Sequence, residues 1–333
     1  MSDAQHVWAL ILAGGDGSRL RALTTKPCGT AVPKQFCSLD GGRSLLEDAI
    51  LRASMLVPPE RICTIVAQQH RQWWCESREL SRLPEQNLIV QPRNRGTGIG
   101  VLFSVLHILA KDPEARIVML PSDHYVRDEP VLRDALKLAL ERVEESRAQP
   151  VLLGIEPDMS DTDLGYIMPG GPDSAGGQRV DKFVEKPHAD LAAELIEQGA
   201  LWNAFIIAAT GQTLLNMFLP RYSSMVMEMQ IILSRHLSLG FPAGGWPALV
   251  DLYMRLPSLD FSRDILEREV DKLCVVRVPP CGWSDLGTPR RVGETLQHLQ
   301  ARAITPAEWS PSQSLNLAAQ HAQFERIAQL GMG

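Results

Sequence analysis

Through the first half of the chain, short apolar runs rich in β-branched residues alternate with longer segments of helical period. That alternation predicts strands joined by crossover helices, and hence an α/β fold. The strand-like runs are Val7 to Ala13, Arg61 to Ala67, Asn87 to Gln91, Ala115 to Leu120 and Val151 to Ile155. Their near-continuous apolarity suits strands covered on both faces, as in a parallel sheet. Between them, Leu45 to Met55, His70 to Leu83, Thr97 to Ala110 and Val131 to Ser146 are long enough for crossover helices.

The second half is less regular. Pro169 to Gly177 reads as a Gly/Pro/Asp-rich loop, followed by strand-like Arg179 to Val184 and Ala204 to Ala209. Helical segments fill the interval from Gly211 to about Arg268, and Leu273 to Val278 returns to strand character. From Arg290 to Leu299, and again from Ser314 to Leu330, the period is helical. The expected organisation is a main domain over residues 1–290 and a helical C-terminal extension over residues 291–333.

Of the 333 residues, 45% are hydrophobic and 22% charged, which excludes a disordered or fibrous chain. With 39 acidic and 33 basic side chains the net charge is -6. No global positive field exists to hold nucleic acid or an anionic membrane, so an anionic ligand needs a local cluster. The 6 cysteines form no C-x-x-C pair and the histidines no H-E-x-x-H, which disfavours a thiolate zinc site. The first apolar stretch, Val7 to Leu12, is too short for a membrane span and lacks the flanks of a secretory peptide. A cytoplasmic location with reduced thiols is expected.

In α/β sheets the ligand lies outside the carboxyl ends of the strands. Three polar segments fall there: Gly14-Gly15-Asp16-Gly17-Ser18-Arg19, Pro92-Arg93-Asn94-Arg95-Gly96-Thr97 and Pro121-Ser122-Asp123-His124. A Gly-rich turn after a first strand suits phosphate, because backbone N–H groups can close around anionic oxygens. Leu20 stands where a dinucleotide fingerprint has Gly or Ala, and no Gly-Lys-Ser/Thr completes a Walker A loop. Two cations, Arg19 and Lys34, serve the loop instead. Taken singly, these features have blander readings. The loop is then a turn with solvated bases, Asp123 and Asp285 a turn former and a cap, and Glu185-Lys186 a solvated pair before Pro187.

Their order is more informative. Leu12-Ala13-Gly14-Gly15-Asp16-Gly17-Ser18-Arg19-Leu20 is followed by Pro33-Lys34-Gln35-Phe36, Gln91-Pro92 with Asn94-Arg95-Gly96-Thr97, and Leu120-Pro121-Ser122-Asp123-His124. Val184-Glu185-Lys186-Pro187, Leu201-Trp202-Asn203, Ser258-Leu259-Asp260-Phe261 and Trp283-Ser284-Asp285-Leu286-Gly287 come later. The series, over about residues 7–290, resembles the sugar-1-phosphate nucleotidylyltransferases, most of all the mannose-1-phosphate guanylyltransferases.

The resemblance implies a Rossmann-like mixed, mainly parallel sheet flanked by helices. It also implies attack by a sugar 1-phosphate on the α-phosphorus of a nucleoside triphosphate, with pyrophosphate released. The implied partners are GTP or another nucleoside triphosphate and mannose 1-phosphate or another hexose 1-phosphate. Nucleic acid and membrane are not among them, and a homodimer is left open. Asp123 and Asp285 are the implied ligands of Mg²⁺ or another divalent cation, and Arg19 and Lys34 join them as catalytic residues. Leu12, Ala13, Gly14, Gly15, Gly17, Ser18, Gln91, Arg95, Gly96, Thr97 and Asp123 would line the nucleotide, Thr97 having the alternative of capping its helix. Gly165, Glu185, Lys186 and Asn203 would hold the sugar phosphate.

Three departures from the family pattern stand out. Ala22 replaces a common proline in a long loop, Leu164 precedes Gly165, and Phe205 takes the place of a usual glycine. They keep open another base or hexose, or a non-catalytic paralogue that binds nucleotide sugar and regulates a partner. By strand alternation Phe205 shares a face with Asn203, which favours the pocket over the core.

Overall fold

The computed structural model describes residues 3–17, 20–25, 31–146, 149–172, 177–237 and 246–303. Strands β1 (Val7–Ala13), β2 (Ile62–Ala67), β3 (Leu88–Gln91), β4 (Arg116–Pro121) and β5 (Val151–Ile155) fall within one residue of the apolar runs that predict them. With β6 (Gly165–Pro172), β7 (Gln178–Glu185), β8 (Leu201–Thr210) and β9 (Cys274–Arg277) they form a 9-stranded sheet ordered β3-β2-β1-β4-β8-β5-β9-β7-β6. β1 pairs in parallel with β2 and β4, β2 with β3, and β5 with β9. β8 is antiparallel to β4, β5 and β6, and β7 to β6 and β9. β7 and β8 thus run against the rest, and the sheet is mixed, with most strands sharing one direction and the parallel pairings concentrated in β3-β2-β1-β4.

The helices are α1 (Arg21–Thr24), α2 (Leu45–Ser54), α3 (Arg71–Trp74), α4 (Gly96–Lys111), α5 (Glu129–Glu145), α6 (Ala189–Glu197), α7 (Gly211–Leu237), α8 (Pro247–Arg255) and α9 (Pro289–Ala303). α4, α7 and α8 cover one face of the sheet through Phe103, Phe218 and Tyr253. α2, α5 and α6 cover the other through Leu46, Leu136 and Leu195. Each fully buried side chain of this size contributes about 1.5–3 kcal/mol, so the two layers fix the sheet between them. α2 begins at a reciprocal cap between Ser44 and Glu47. α7 kinks at Tyr222, two residues past Pro220, whose missing N–H breaks the ladder. No described helix is long and apolar enough to cross a membrane.

Two expectations fail. His70 to Leu83 is not one crossover helix: α3 is a single turn, with short 3₁₀ turns at Gln68–His70 and Leu80–Arg82. Its backbone is diverted locally, because Glu47 accepts from Arg78 N and the Trp74 indole turns back to Ala67 O. The expected loop from Pro169 is partly strand, since β6 extends through it to Pro172. Register shifts at Met168/Pro169 and Pro169/Pro172 let the prolines sit where no ladder donor is required. The expected helix from Ser314 to Leu330 lies outside the described residues.

Candidate active site

The loop after β1 is built around missing side chains. Gly17 has φ +59°, and a Cβ there would come within 2.8 Å of Lys34 N, so glycine lets the Pro33-Lys34-Gln35-Phe36 turn close onto the loop. Gln35 Nε2 then donates to Ala13 O at 3.1 Å and Gly15 O at 2.8 Å. Ser122 Oγ donates to Leu12 O at 2.7 Å, tying the end of β4 to the same edge. Gln91 is 3% exposed and lies beneath Gly14, whose Cβ would collide with its amide. Its Oε1 is buried without a hydrogen-bond partner. Asp16 fastens the loop from outside, accepting from Gln69 at 2.6 Å and Asn94 at 3.1 Å. Ser18 and Arg19 lie outside the described residues.

The two aspartates meet around one lysine. Tyr125 and Ser284 exchange backbone hydrogen bonds of 2.9 Å, which lays the Asp123 segment beside the Asp285 segment. Lys34 is 6% exposed; its Nζ lies 2.9 Å from Asp123 Oδ2 and donates to Asp285 O at 2.5 Å. Its ammonium therefore bridges the aspartates. Asp285 is 4% exposed and its Oδ1 has no hydrogen-bond partner. Gly287 is required beside it, since a Cβ would meet Asp285 Oδ2. His124 accepts from the Trp283 indole at 3.2 Å, and burial pushes its pKa down to about 4, so it is neutral at pH 7.

A divalent cation fits this donor set. Two carboxylates, one with a buried oxygen that accepts no hydrogen bond, match a cation that takes one or two protein ligands and completes its shell with water and phosphate. Among the described residues no larger cluster of His, Cys, Asp and Glu offers an alternative.

Gly165, Glu185 and Asn203 also come together. Gly165 pairs with Glu185 across β6 and β7; a Cβ on it would stand 2.6 Å from Glu185 Oε2 and 3.4 Å from Asn203 Cβ. Burial pushes the Glu185 carboxyl up, with nearby Asp260 adding to the effect and Lys186 and Ser262 opposing it. Lys186 Nζ lies 3.6 Å from Glu185 Oε1 and is more open. Asn203 Oδ1 accepts from Phe205 N at 3.0 Å, so its amide NH₂ is the end left for a ligand. Phe205 does share the Asn203 face, and its ring meets Phe261 edge-on at 6.2 Å on the α4 side of the sheet.

Arg95 and Thr97 are placed differently from expectation. Arg95 bonds Tyr253 O at 2.7 Å and Met254 O at 2.9 Å, holding the C-terminal end of α8. Thr97 does not cap α4; its Oγ1 accepts from Phe261 N at 2.9 Å. Gly96, with φ +83°, lets Leu259 pack against that turn. These contacts place the Leu259–Ser262 segment between the start of α4 and Glu185.

Sequence reasoning missed Arg291 and Asp161. Arg291, on α9, lies 3.0 Å from Asp161 Oδ2 and 3.6 Å from Asp285 Oδ1, with its guanidinium 4.5 Å from the Trp202 ring centroid. No motif marks either residue, and helical period alone places Arg291 only on a helix. Strain is a further structural signal. Among the described residues, the non-glycine positions with positive φ are Lys186, Phe205 and Leu286, each beside or within a predicted site segment. Such strain persists only where surroundings over-determine it, and it clusters at functional sites.

Comparison with known proteins agrees with this architecture. Residues 8–302 match the family model described as Nucleotidyl transferase. Mannose-1-phosphate guanylyltransferase 2 of Escherichia coli O157:H7 is 32% identical over 302 residues, covering 86% of this chain and 59% of that protein. Xanthan biosynthesis protein XanB of Xanthomonas campestris pv. campestris (strain B100) is 27% identical over 296 residues, covering 86% and 58%. The chain thus spans about three fifths of the length of the curated relatives it matches. A crystal structure described as mannose-1-phosphate geranyltransferase from Thermus thermophilus superposes with TM-score 0.71 at 31% identity, covering 86% of this chain and 79% of that one. With one family model matching residues 8–302, through all nine strands and both aspartate segments, the chain belongs to the nucleotidyl transferase family.

Proposed function

We propose that this chain transfers a nucleotidyl group from GTP to mannose 1-phosphate, giving GDP-mannose and pyrophosphate, in a cytoplasmic setting. The observation that carries the reading is convergence on one sheet edge. A Gly-rich loop, a lysine-bridged aspartate pair and the Gly165–Glu185–Asn203 corner are the parts needed to bring two anionic substrates together. The guanylyltransferase names of relatives at about this distance support the choice of base and sugar.

In the reaction an oxygen of the sugar phosphate bonds to the α-phosphorus while the bond from that phosphorus to the bridging β-oxygen breaks. No nucleophilic side chain is needed, so the protein's task is to orient the partners and neutralise charge. Gly14, Gly15 and Gly17 would supply backbone donors to the triphosphate, with open space beside Gly15 and with Gln91 and Lys34 packed against Gly14 and Gly17. Asp123 and Asp285 would hold Mg²⁺, which supplies positive charge to the phosphates during transfer. Lys34 ties the Asp123 carboxylate to the Asp285 backbone and so keeps the two segments together. Lys186, a compact point charge at the pocket mouth, meets the sugar phosphate, and Glu185 and the Asn203 NH₂ take hydroxyls.

A pyrophosphate-release assay across the common nucleoside triphosphates and hexose 1-phosphates tests the proposal. Release that needs triphosphate, hexose 1-phosphate and divalent metal together, with the highest kcat/KM for GTP and mannose 1-phosphate, is expected. Preference for a pyrimidine triphosphate would sink the guanylyl assignment, and tight nucleotide-sugar binding with no turnover would sink the transfer itself.

A further inference from the structure

Arg291 has no part in the transfer just outlined, yet it is 6% exposed and stands between two carboxylates. Burying a guanidinium is costly unless charge and hydrogen bonds compensate, so its neighbours define what it does. Asp161 is rigidly held: its backbone N donates to the Tyr166 hydroxyl and its backbone O accepts from it, both at 2.9 Å, and its Oδ1 accepts from Asp163 N at 2.7 Å. The Trp202 ring, 2% exposed, lies against the guanidinium. Arg291 therefore cannot swing freely. It is shared between Asp161 Oδ2 at 3.0 Å and Asp285 Oδ1 at 3.6 Å, and the latter oxygen has no hydrogen-bond donor.

Among the described residues, the charged groups in contact around Asp285 are Lys34, which also pairs with Asp123, and Arg291, which also pairs with Asp161. Lys34 meets Asp285 through the backbone oxygen, so Arg291 is the cation facing the carboxylate oxygen proposed for the metal. We propose that Arg291 is a positioning residue that sets how tightly the Asp123–Asp285 pair holds a divalent cation, with Asp161 drawing part of its charge away. The inference rests on the reading that these two aspartates bind the metal.

Two substitutions on one ion pair must then act in opposite directions. Arg291→Met removes the cation competing at Asp285 and should tighten Mn²⁺ binding, on the order of tenfold. Asp161→Asn leaves Arg291 to Asp285 alone and should weaken it by roughly severalfold. Arg291→Lys keeps the charge and should stay near wild type.

The measurement is titration of free Mn²⁺ by electron paramagnetic resonance on the full chain without substrates, with circular dichroism to confirm folding. A residue that only straps α9 to the sheet would lower the melting temperature without this change of sign. Unchanged affinity in Asp161→Asn, or shifts of the same sign in both variants, would overturn the proposal. If Arg291→Met does not fold, Asp161→Asn and Arg291→Lys decide it. Asp285→Asn is the separate check: loss of Mn²⁺ binding upholds the metal assignment, and wild-type affinity overturns that assignment itself.

Discussion

Phe205 shows how much a single position can say. At φ +54° it occupies the left-handed region, which costs a non-glycine residue about 1–2 kcal/mol and which glycine enters freely. Its ring is half-buried against Phe261, so truncation would lose roughly half of the 3–5 kcal/mol of a fully buried phenylalanine. The two effects nearly offset. Phe205→Gly is therefore expected to cost only about 1 kcal/mol in urea unfolding while changing relative kcat/KM among hexose 1-phosphates severalfold. A large loss of stability with unchanged sugar preference would make Phe205 a core residue. At this scale motif order singled out Glu185 and Asn203, which the fold brings together with Gly165. It could not disclose Arg291 or the bonds of Arg95 to α8, since both depend on contacts between distant segments.

Helix α4 illustrates the element scale. Its apolar surface is buried almost all round, and His107 lies within it at 2% exposure beside Gln86 O. Burial, with Lys111 adding to it, pushes the His107 pKa down to about 4 from 6.5. Between those values the unfolded chain binds more protons than the folded one, so stability rises with pH across that window and is lost as pH falls through it. A shift of this size corresponds to at most about 3 kcal/mol. His107→Gln should flatten the decline in the urea midpoint between pH 7 and pH 5; an equally steep decline in the variant would show that His107 contributes nothing to it. The parallel strands were legible because runs buried on both faces leave a continuous apolar record. β6 was not, because Gly165-Tyr166-Ile167-Met168-Pro169-Gly170-Gly171-Pro172 mixes strand formers with turn residues that only the bulged pairing with β7 reconciles.

For the whole molecule, chain order and spatial order diverge, and that divergence makes the site. β8 inserts between β4 and β5, which sets the Asn203 corner beside the Asp123 strand end. The return of the chain through β9 brings Asp285 to Lys34. The motif series foretold which segments meet, but not that Lys34 would bridge the aspartates or that α9 would add a buried cation. The proposed reaction joins a nucleotide to a sugar phosphate at the α-phosphorus on this edge. Following α-³²P- and γ-³²P-labelled GTP in parallel with mannose 1-phosphate and Mg²⁺ tests it most directly. The α label is expected in the nucleotide sugar and the γ label in pyrophosphate, in equal amounts. A γ label released as inorganic phosphate, or an α label that never leaves GTP, would contradict it.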